Sequence, residues 1–307
     1  MNDRIRVGTR GSRLALIQTG MVVDALREAS PESEVAVEKI RTAGDRQPSA
    51  PLTGMGTGVF TKALEDALLD GRIDLAVHSL KDLPTDPTPG VTVLTVLERE
   101  DPRDVLIDRW NKTLLDIPAG ARIGTSSPRR AAQLKHGRKD VEFLSIRGNV
   151  ETRIAKAGGP DYDGVVLAAA GISRLSASEV VSEVLSPYVC TPAPGQGALA
   201  VQVRSGDAPL LELLRRLVHE NTAAAVTAER AVLRAAGGGC QLPIGALATV
   251  EGSELTLFVT ATPPDGSMSY RVEVTGATDA PELLGSAAYQ GLVDQGAGEL
   301  IQRGSDS

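Results

Sequence analysis

Residues 4–14, Arg4-Ile5-Arg6-Val7-Gly8-Thr9-Arg10-Gly11-Ser12-Arg13-Leu14, begin with alternating polar and apolar side chains and then change period. Arg4–Gly8 alternates as a strand does. Behind Ser12, a residue suited to a helix N-cap, Leu14, Ile17, Met21, Ala25 and Leu26 recur at helical spacing. A strand feeding a helix is the building unit of an α/β protein. The alternation returns at Val35–Arg41, Ile73–Ser79 and Val91–Leu97, with a helix expected over Val59–Leu69. A second α/β stretch follows Asp101-Pro102, with strands expected at Arg122–Thr125, Val141–Ser145 and Gly164–Ala169 and helices near Arg129–His136 and Glu151–Ala157. From Asn221 the pattern changes. A helix over Ala223–Ala236 runs into Gly237-Gly238-Gly239, then strands Ile244–Val250, Glu254–Thr262 and Ser269–Thr275 are joined by glycine-containing turns, and a closing helix starts at about Pro281. This reads as a separate α+β unit. The boundary before it is soft, because Ala198–Arg204 reads as a strand and Leu210–Val218 as a helix. No low-complexity linker or short-period repeat interrupts the chain.

A chain of 307 residues has room for two or three domains. Its net charge of −7 and 3% aromatic content argue against a dedicated nucleic-acid binder, which needs cations for phosphates and rings for bases. The longest apolar run, Val165–Ile172, falls well short of a bilayer span, so no membrane association is expected. The opening Met-Asn-Asp-Arg-Ile-Arg-Val has no apolar core of a secretory signal. Cys190 and Cys240 alone cannot build a disulfide framework, and a cytoplasmic location is expected. His78, His136 and His219 are scattered, with no Cys cluster beside them, so no metal site is expected.

Thr125-Ser126-Ser127-Pro128-Arg129-Arg130 joins a strand to a helix, with Ser127 suited to the N-cap, Pro128 to the first helical position and Gly137 to the stop. Free N–H groups, hydroxyls and two guanidiniums converging at a helix start suit a carboxylate or phosphate. Alone, the segment reads first as a capped helix with solvated arginines. Its surroundings favour the anion site: Arg122–Arg153 carries eight basic residues (Arg122, Arg129, Arg130, Lys135, Arg138, Lys139, Arg147, Arg153) against three acids (Asp140, Glu142, Glu151). Asn149 can cap the helix bearing Arg153, so a second donor set is expected at the same edge of a parallel sheet, where open α/β sheets bind ligands. Arg138 and Lys139 read as a basic surface turn.

In Ile73–Pro84 a buried strand runs into a loop offering Ser79, Lys81 and Asp82, and a carboxylate beside a cation can stay ionised and shuttle a proton. Alone, such a Lys-Asp pair is surface decoration. His78 should point away from Ser79, into the core. Gly237–Pro243 sets Cys240 directly after a triple glycine, which permits close approach of a bulky group; the plain alternative is a small buried thiol after a helix C-cap. Cys190, without helpers in Tyr188–Pro192, reads as structural. Gly54–Phe60 lacks the strand and glycine spacing of a dinucleotide loop and reads as a glycine-rich flap.

Seven motifs occur in order: Gly8-Thr9-Arg10-Gly11-Ser12, Val77–Pro84, Glu100-Asp101-Pro102-Arg103-Asp104, Gly124–Arg130, Arg147-Gly148-Asn149, Pro194-Gly195-Gln196-Gly197-Ala198 and Gly238–Gly245. Together they closely resemble the porphobilinogen deaminase (hydroxymethylbilane synthase) family over essentially the whole chain. The resemblance implies a cytoplasmic, monomeric enzyme of tetrapyrrole synthesis that joins four porphobilinogen molecules head to tail and releases ammonia. It implies a dipyrromethane cofactor held through a thioether to Cys240, Asp82 as the catalytic carboxylate, and transient hand-over of the product to uroporphyrinogen-III synthase. Arg10, Ser12, Ser79, Lys81, Thr125, Ser126, Ser127, Arg129, Arg130, Arg147, Arg153, Arg174 and Gln196 would bind the acetate and propionate side chains of cofactor and substrate. The implied architecture is two periplasmic-binding-protein-like α/β domains flanking a cleft, 1–97 with 198–216 and 98–197, plus a smaller C-terminal α+β domain, 217–307, carrying the cofactor cysteine.

Two positions depart from the family pattern. Thr57 stands where many relatives carry a flap lysine, in a flap one residue shorter, and Pro128 replaces a leucine at a position where proline favours the helix start. Two other classes compete. A non-catalytic binder of a small anion would use the same capped helix starts but needs no adduct at Cys240. Phosphate-ester chemistry lacks its metal ligands and Walker loop.

Overall fold

The computed structural model describes residues 4–40, 61–86, 88–238, 243–298 and 300. The flap at Gly54–Phe60, with Thr57, and the cysteine at Cys240 lie outside the described residues. The chain forms two compact units, one of Met1–Glu100 with Ala198–Ala223, the other of Asp101–Gly197 with Ala224–Ser307.

The first unit holds strands β1 (Arg4–Thr9), β2 (Glu34–Lys39), β3 (Leu75–Ser79), β4 (Val91–Val96) and a late strand from the second half of the chain, Leu199–Arg204. Their order is β2-β1-β3, then Leu199–Arg204, then β4. β1 is parallel to β2 and β3, whereas the late strand is antiparallel to both of its neighbours. Helix α1 (Arg13–Ala29) covers one face through the fully buried Val22 and Leu26, which meet Val7, Leu75 and Val201. Helix α2 (Lys62–Leu69) covers the other with Leu64 and Leu68 against Ile73 and Ala76. Each fully buried aliphatic side chain contributes roughly 1.5–3 kcal/mol, which fixes the faces of the sheet.

The second unit repeats the plan. Strands β5 (Asp104–Asp108), β6 (Arg122–Gly124), β7 (Glu142–Leu144), β8 (Gly164–Ala168) and β9 (Glu183–Val184) stand in the order β7-β6-β8-β5-β9. β6 is parallel to β7 and β8, and β5 antiparallel to β8 and β9. Helices α3 (Pro128–Gly137), α4 (Val150–Lys156) and α5 (Ala169–Arg174) follow three of the strands. With the late strand of the first unit numbered β10 (Leu199–Arg204) and followed by α6 (Ala208–Arg215), helix α7 (Glu220–Ala235) leads to β11 (Ile244–Glu251), β12 (Glu254–Ala261) and β13 (Tyr270–Ala277). These form an antiparallel sheet. Ala228 and Val232 of α7 and Ala288 and Leu292 of the closing α8 (Pro281–Leu292) cover it. A β-carbon on Gly285 would lie 2.4 Å from the Ala228 carbonyl oxygen, so only glycine lets α8 cross α7 this closely.

The fold class read from sequence, two α/β domains and a smaller C-terminal α+β domain, is the one found. Both α/β sheets are mixed as wholes, while β6 and β7, the strands that lead to Arg129 and Arg147, run parallel as expected. Asp104–Asp108 supplies the missed antiparallel strand, because three apolar residues between aspartates give too short an alternation to separate from a loop. The apolar run Val165–Ile172 breaks at Ala168 into the end of β8 and the start of α5. Arg138 is an anchor rather than part of a solvated turn: its side chain is 11% exposed and donates to the carbonyls of Leu114 and Ile117 as well as to Asp140.

Candidate active site

In the first unit β1 and β3 run parallel, so Arg10 and Ser79 follow or end strands at the same sheet edge. Ser12 caps α1, its Oγ accepting from the Ala15 N–H at 3.3 Å. Ser79 Oγ accepts from Gln18 Nε2 at 2.9 Å. Beyond Ser79 the loop expected from sequence closes as a single 3₁₀ turn, Leu80–Asp82. Leu80 and Leu83 are buried and pin the turn, which leaves Lys81 half-buried and Asp82 exposed. His78 faces the core, as strand alternation requires. Its pKa is pushed down to about 4, chiefly by burial, with the Arg10 charge adding to the effect and a contact with Gln202 opposing it.

In the second unit the segment after β6 folds as its residue types dictate. Thr125 Oγ1 accepts from the Ser127 N–H at 3.2 Å, Ser126 Oγ donates to the Ile146 carbonyl, and Ser127 Oγ caps α3 by accepting from the Arg130 N–H at 3.4 Å. Pro128 takes the first turn of α3. Asn149 caps α4, its Oδ1 accepting from the Thr152 N–H at 2.8 Å. Arg153 Nε donates to the Gly148 carbonyl at 2.8 Å, and Arg174 donates to that of Gly197 at the same distance. The Arg153 pKa is lowered by burial and by the neighbouring Arg130 and Arg147 charges. The three guanidiniums therefore feel one another.

Arg129 and Arg130 are not solvated: their side chains are 5% and 8% exposed. Both meet the fully buried Asp104, at 2.8 Å from Arg129 Nη2 and 2.7 Å from Arg130 Nη2. Gln196 Nε2 donates to the same carboxylate at 2.7 Å and the Cys190 thiol at 3.3 Å. Arg129 Nη1 reaches the Thr191 carbonyl and Arg130 Nη1 that of Val166 at 3.2 Å. Burial works against the Asp104 charge, but the two guanidiniums outweigh it and hold the carboxyl far below the usual range. Burial and Asp104 push the Cys190 thiol up to about 12, so it stays protonated and inert. Both Nε–H groups, of Arg129 and of Arg130, are buried with no hydrogen-bond partner. Buried donors in this condition call for an acceptor.

Sequence reasoning missed Asp104, which it quoted in a motif but gave no role. Its signal was an acid bordering an apolar strand in a chain with an arginine pair, since a buried acid must be paired. It also missed Glu229 of α7, fully buried, which accepts the Gly195 N–H at 2.7 Å and the Ala248 N–H at 2.8 Å. Glu229 thereby ties the glycine loop carrying Gln196 to β11. Among the described residues no group of His, Cys, Asp and Glu could hold a metal, and no helix is long and apolar enough to cross a membrane.

Helix starts capped by hydroxyls, strand ends rich in arginine, and buried guanidinium donors in excess over their carboxylate define an α/β protein with the chemistry of an anion-binding class. The family model "Porphobilinogen deaminase, dipyromethane cofactor binding domain" matches residues 5–212, and "Porphobilinogen deaminase, C-terminal domain" matches residues 223–294. Curated porphobilinogen deaminases are similar over nearly their full lengths. That of Roseiflexus castenholzii is 47% identical, covering 98% of this chain and 99% of its own, and that of Thermus thermophilus is 46% identical, covering 96% and 97%. Among solved structures, the BenM effector binding domain with its effector benzoate is 18% identical with a TM-score of 0.42, covering 69% of this chain and 90% of that one. The chain belongs to the porphobilinogen deaminase family, and it contains that family's dipyrromethane cofactor binding domain.

Proposed function

We propose that the chain acts as a hydroxymethylbilane synthase of tetrapyrrole biosynthesis, condensing porphobilinogen head to tail with release of ammonia, and that the residues gathered in its two units divide the work. The observation that carries the reading is the pair of buried, partnerless Nε–H donors on Arg129 and Arg130, which suit the acetate and propionate carboxylates of a dipyrromethane. Once bound, that group supplies the nucleophilic pyrrole carbon at which elongation starts. Cys240 would anchor it. Thr125, Ser126, Ser127, Arg129, Arg130, Arg147, Arg153, Arg174 and Gln196 would hold carboxylates from the second unit, and Arg10, Ser12, Ser79 and Lys81 from the first.

Each condensation breaks the substrate's aminomethyl C–N bond, the nitrogen leaving as ammonia, forms a C–C bond at a free pyrrole α-carbon and releases that carbon's proton. Asp82, exposed on its pinned turn, accepts the substrate's pyrrole N–H, counters positive charge developing on the ring and assists two separate proton transfers, one as the amine departs and one when the α-carbon loses its proton after the C–C bond has formed. The domain division 1–97 with 198–216, 98–197 and 217–307, a monomeric state, a cytoplasmic location and hand-over of the product to uroporphyrinogen-III synthase complete the reading. Intact-mass spectrometry of untreated protein tests it. The expected mass exceeds that of the sequence by two deaminated porphobilinogen units, and Cys240→Ala removes the excess. A bare chain that still condenses porphobilinogen overturns it.

A further inference from the structure

Asp74, Asp163 and Asp104 each bind two arginines, and Asp104 differs from the other two. Asp74 takes Arg6 at 2.8 Å and Arg204 at 3.0 Å; Asp163 takes Arg122 at 3.1 Å and Arg109 at 3.4 Å. Those arginine side chains are 28–38% exposed, so water solvates the surplus positive charge. Asp74 and Asp163 each also accept a strand N–H, from Arg6 and Arg122, which marks them as clips between strands. Asp104 accepts only from side chains among its described bonds, namely Arg129, Arg130, Gln196 and Cys190. Its two arginines have almost no water. The cluster therefore buries one positive charge more than it neutralises, and burying an unmatched charge is costly. The neighbouring thiol cannot supply the missing anion, because it remains protonated.

We propose that Asp104 is a positioning residue: by binding one Nη2 of each guanidinium it sets Arg129 and Arg130 side by side, leaving their Nε–H edges and one unit of positive charge for a ligand carboxylate. The inference rests on the reading that these arginines hold the cofactor's side chains. A carboxylate shared in this way limits both side chains to one arrangement, so displacing it by about 1 Å should weaken loading about a hundredfold.

The test uses the full chain, with Asp104→Asn, Asp104→Glu and, as a scaffold control, Asp163→Asn. Intact mass gives the fraction of purified protein carrying the adduct, thermal melting gives folding, and incubation of unloaded protein with porphobilinogen gives the concentration for half-loading. Asp104→Glu keeps the charge and moves the carboxylate, so a purely structural ion pair would be rescued by it and a positioning one would not. The expected result is folded Asp104→Glu and Asp104→Asn with little adduct and half-loading shifted about a hundredfold upward, while Asp163→Asn melts earlier yet is fully loaded. Full loading of Asp104→Glu at wild-type porphobilinogen concentrations overturns the proposal, even if Asp104→Asn does not fold. Wild-type protein measured alongside separates the two readings: absence of its adduct defeats the cofactor assignment itself, whereas loaded wild type with loaded Asp104→Glu defeats only the role of Asp104.

Discussion

Arg6-Val7-Gly8-Thr9 in the first sheet and Arg122-Ile123-Gly124-Thr125 in the second occupy the same place in the same topology. Arg6 exchanges bonds with Asp74, and Arg122 does the same with Asp163; in each case the arginine N–H and Nε reach the carboxylate and the aspartate N–H returns to the arginine carbonyl at 2.8 Å. Ser12 and Ser127 then cap the helices that follow. The scaffolds coincide and the strand ends diverge. The first sheet puts an exposed carboxylate, Asp82, on a pinned turn; the second buries two guanidiniums around Asp104. The division of work proposed above, proton handling in one unit and carboxylate holding in the other, would then follow from residues beyond the matching segments Arg6–Thr9 and Arg122–Thr125.

The comparison breaks most visibly at Asp82. Asp82→Asn should lower turnover by about 10²–10⁴-fold, read as ammonia release, while leaving the adduct mass and the melting temperature unchanged. Near-normal release would remove the first unit's claim to the chemistry. His78 sharpens the contrast, because its structural counterpart on β8 is the apolar Leu167. The neutral imidazole is favoured by folding, its folded pKa of about 4 lying below the unfolded value of 6.5. Its contribution to stability is therefore complete above pH 6.5 and is lost as pH falls toward 4, by up to about 3 kcal/mol. Denaturant titrations across that window should show the slope, and His78→Leu should flatten it. A smaller effect is expected at the shared clips: Asp74→Ala and Asp163→Ala should each cost about 1–3 kcal/mol in chemical denaturation, the two agreeing within error if the repeat is real. Smallest is the helix start. Asn149→Ala should cost about 1 kcal/mol, seen as a shift of the urea midpoint.

Local chemistry was legible in the sequence because it acts over a few residues. Ser12, Ser127, Pro128 and Asn149 announce helix starts by residue type, and each stands where that reading puts it. The loop offering Ser79, Lys81 and Asp82 was likewise legible at the end of a buried strand, whereas the turn that Leu80 and Leu83 pin was not. What stayed hidden depends on long-range pairing. Asp104 lies 25 and 26 positions from the arginines it binds, and Glu229 lies 34 positions from Gly195; no periodicity encodes such partners. The repeated Arg–Asp clip escaped for the same reason, since its copies share too few identical residues to register as a repeat.

The placement of β10 has a consequence for how the protein is made. This strand lies between β3 and β4 and pairs with both, so those two earlier strands never touch directly. A ribosome releases them about a hundred residues before their common neighbour, and in that interval the nascent first sheet carries two unpaired edges, the kind of surface that invites aggregation. The second sheet has no such wait, because its antiparallel strand β5 is synthesised first. The amino-terminal half of the gene therefore encodes the part of the molecule that must finish folding late.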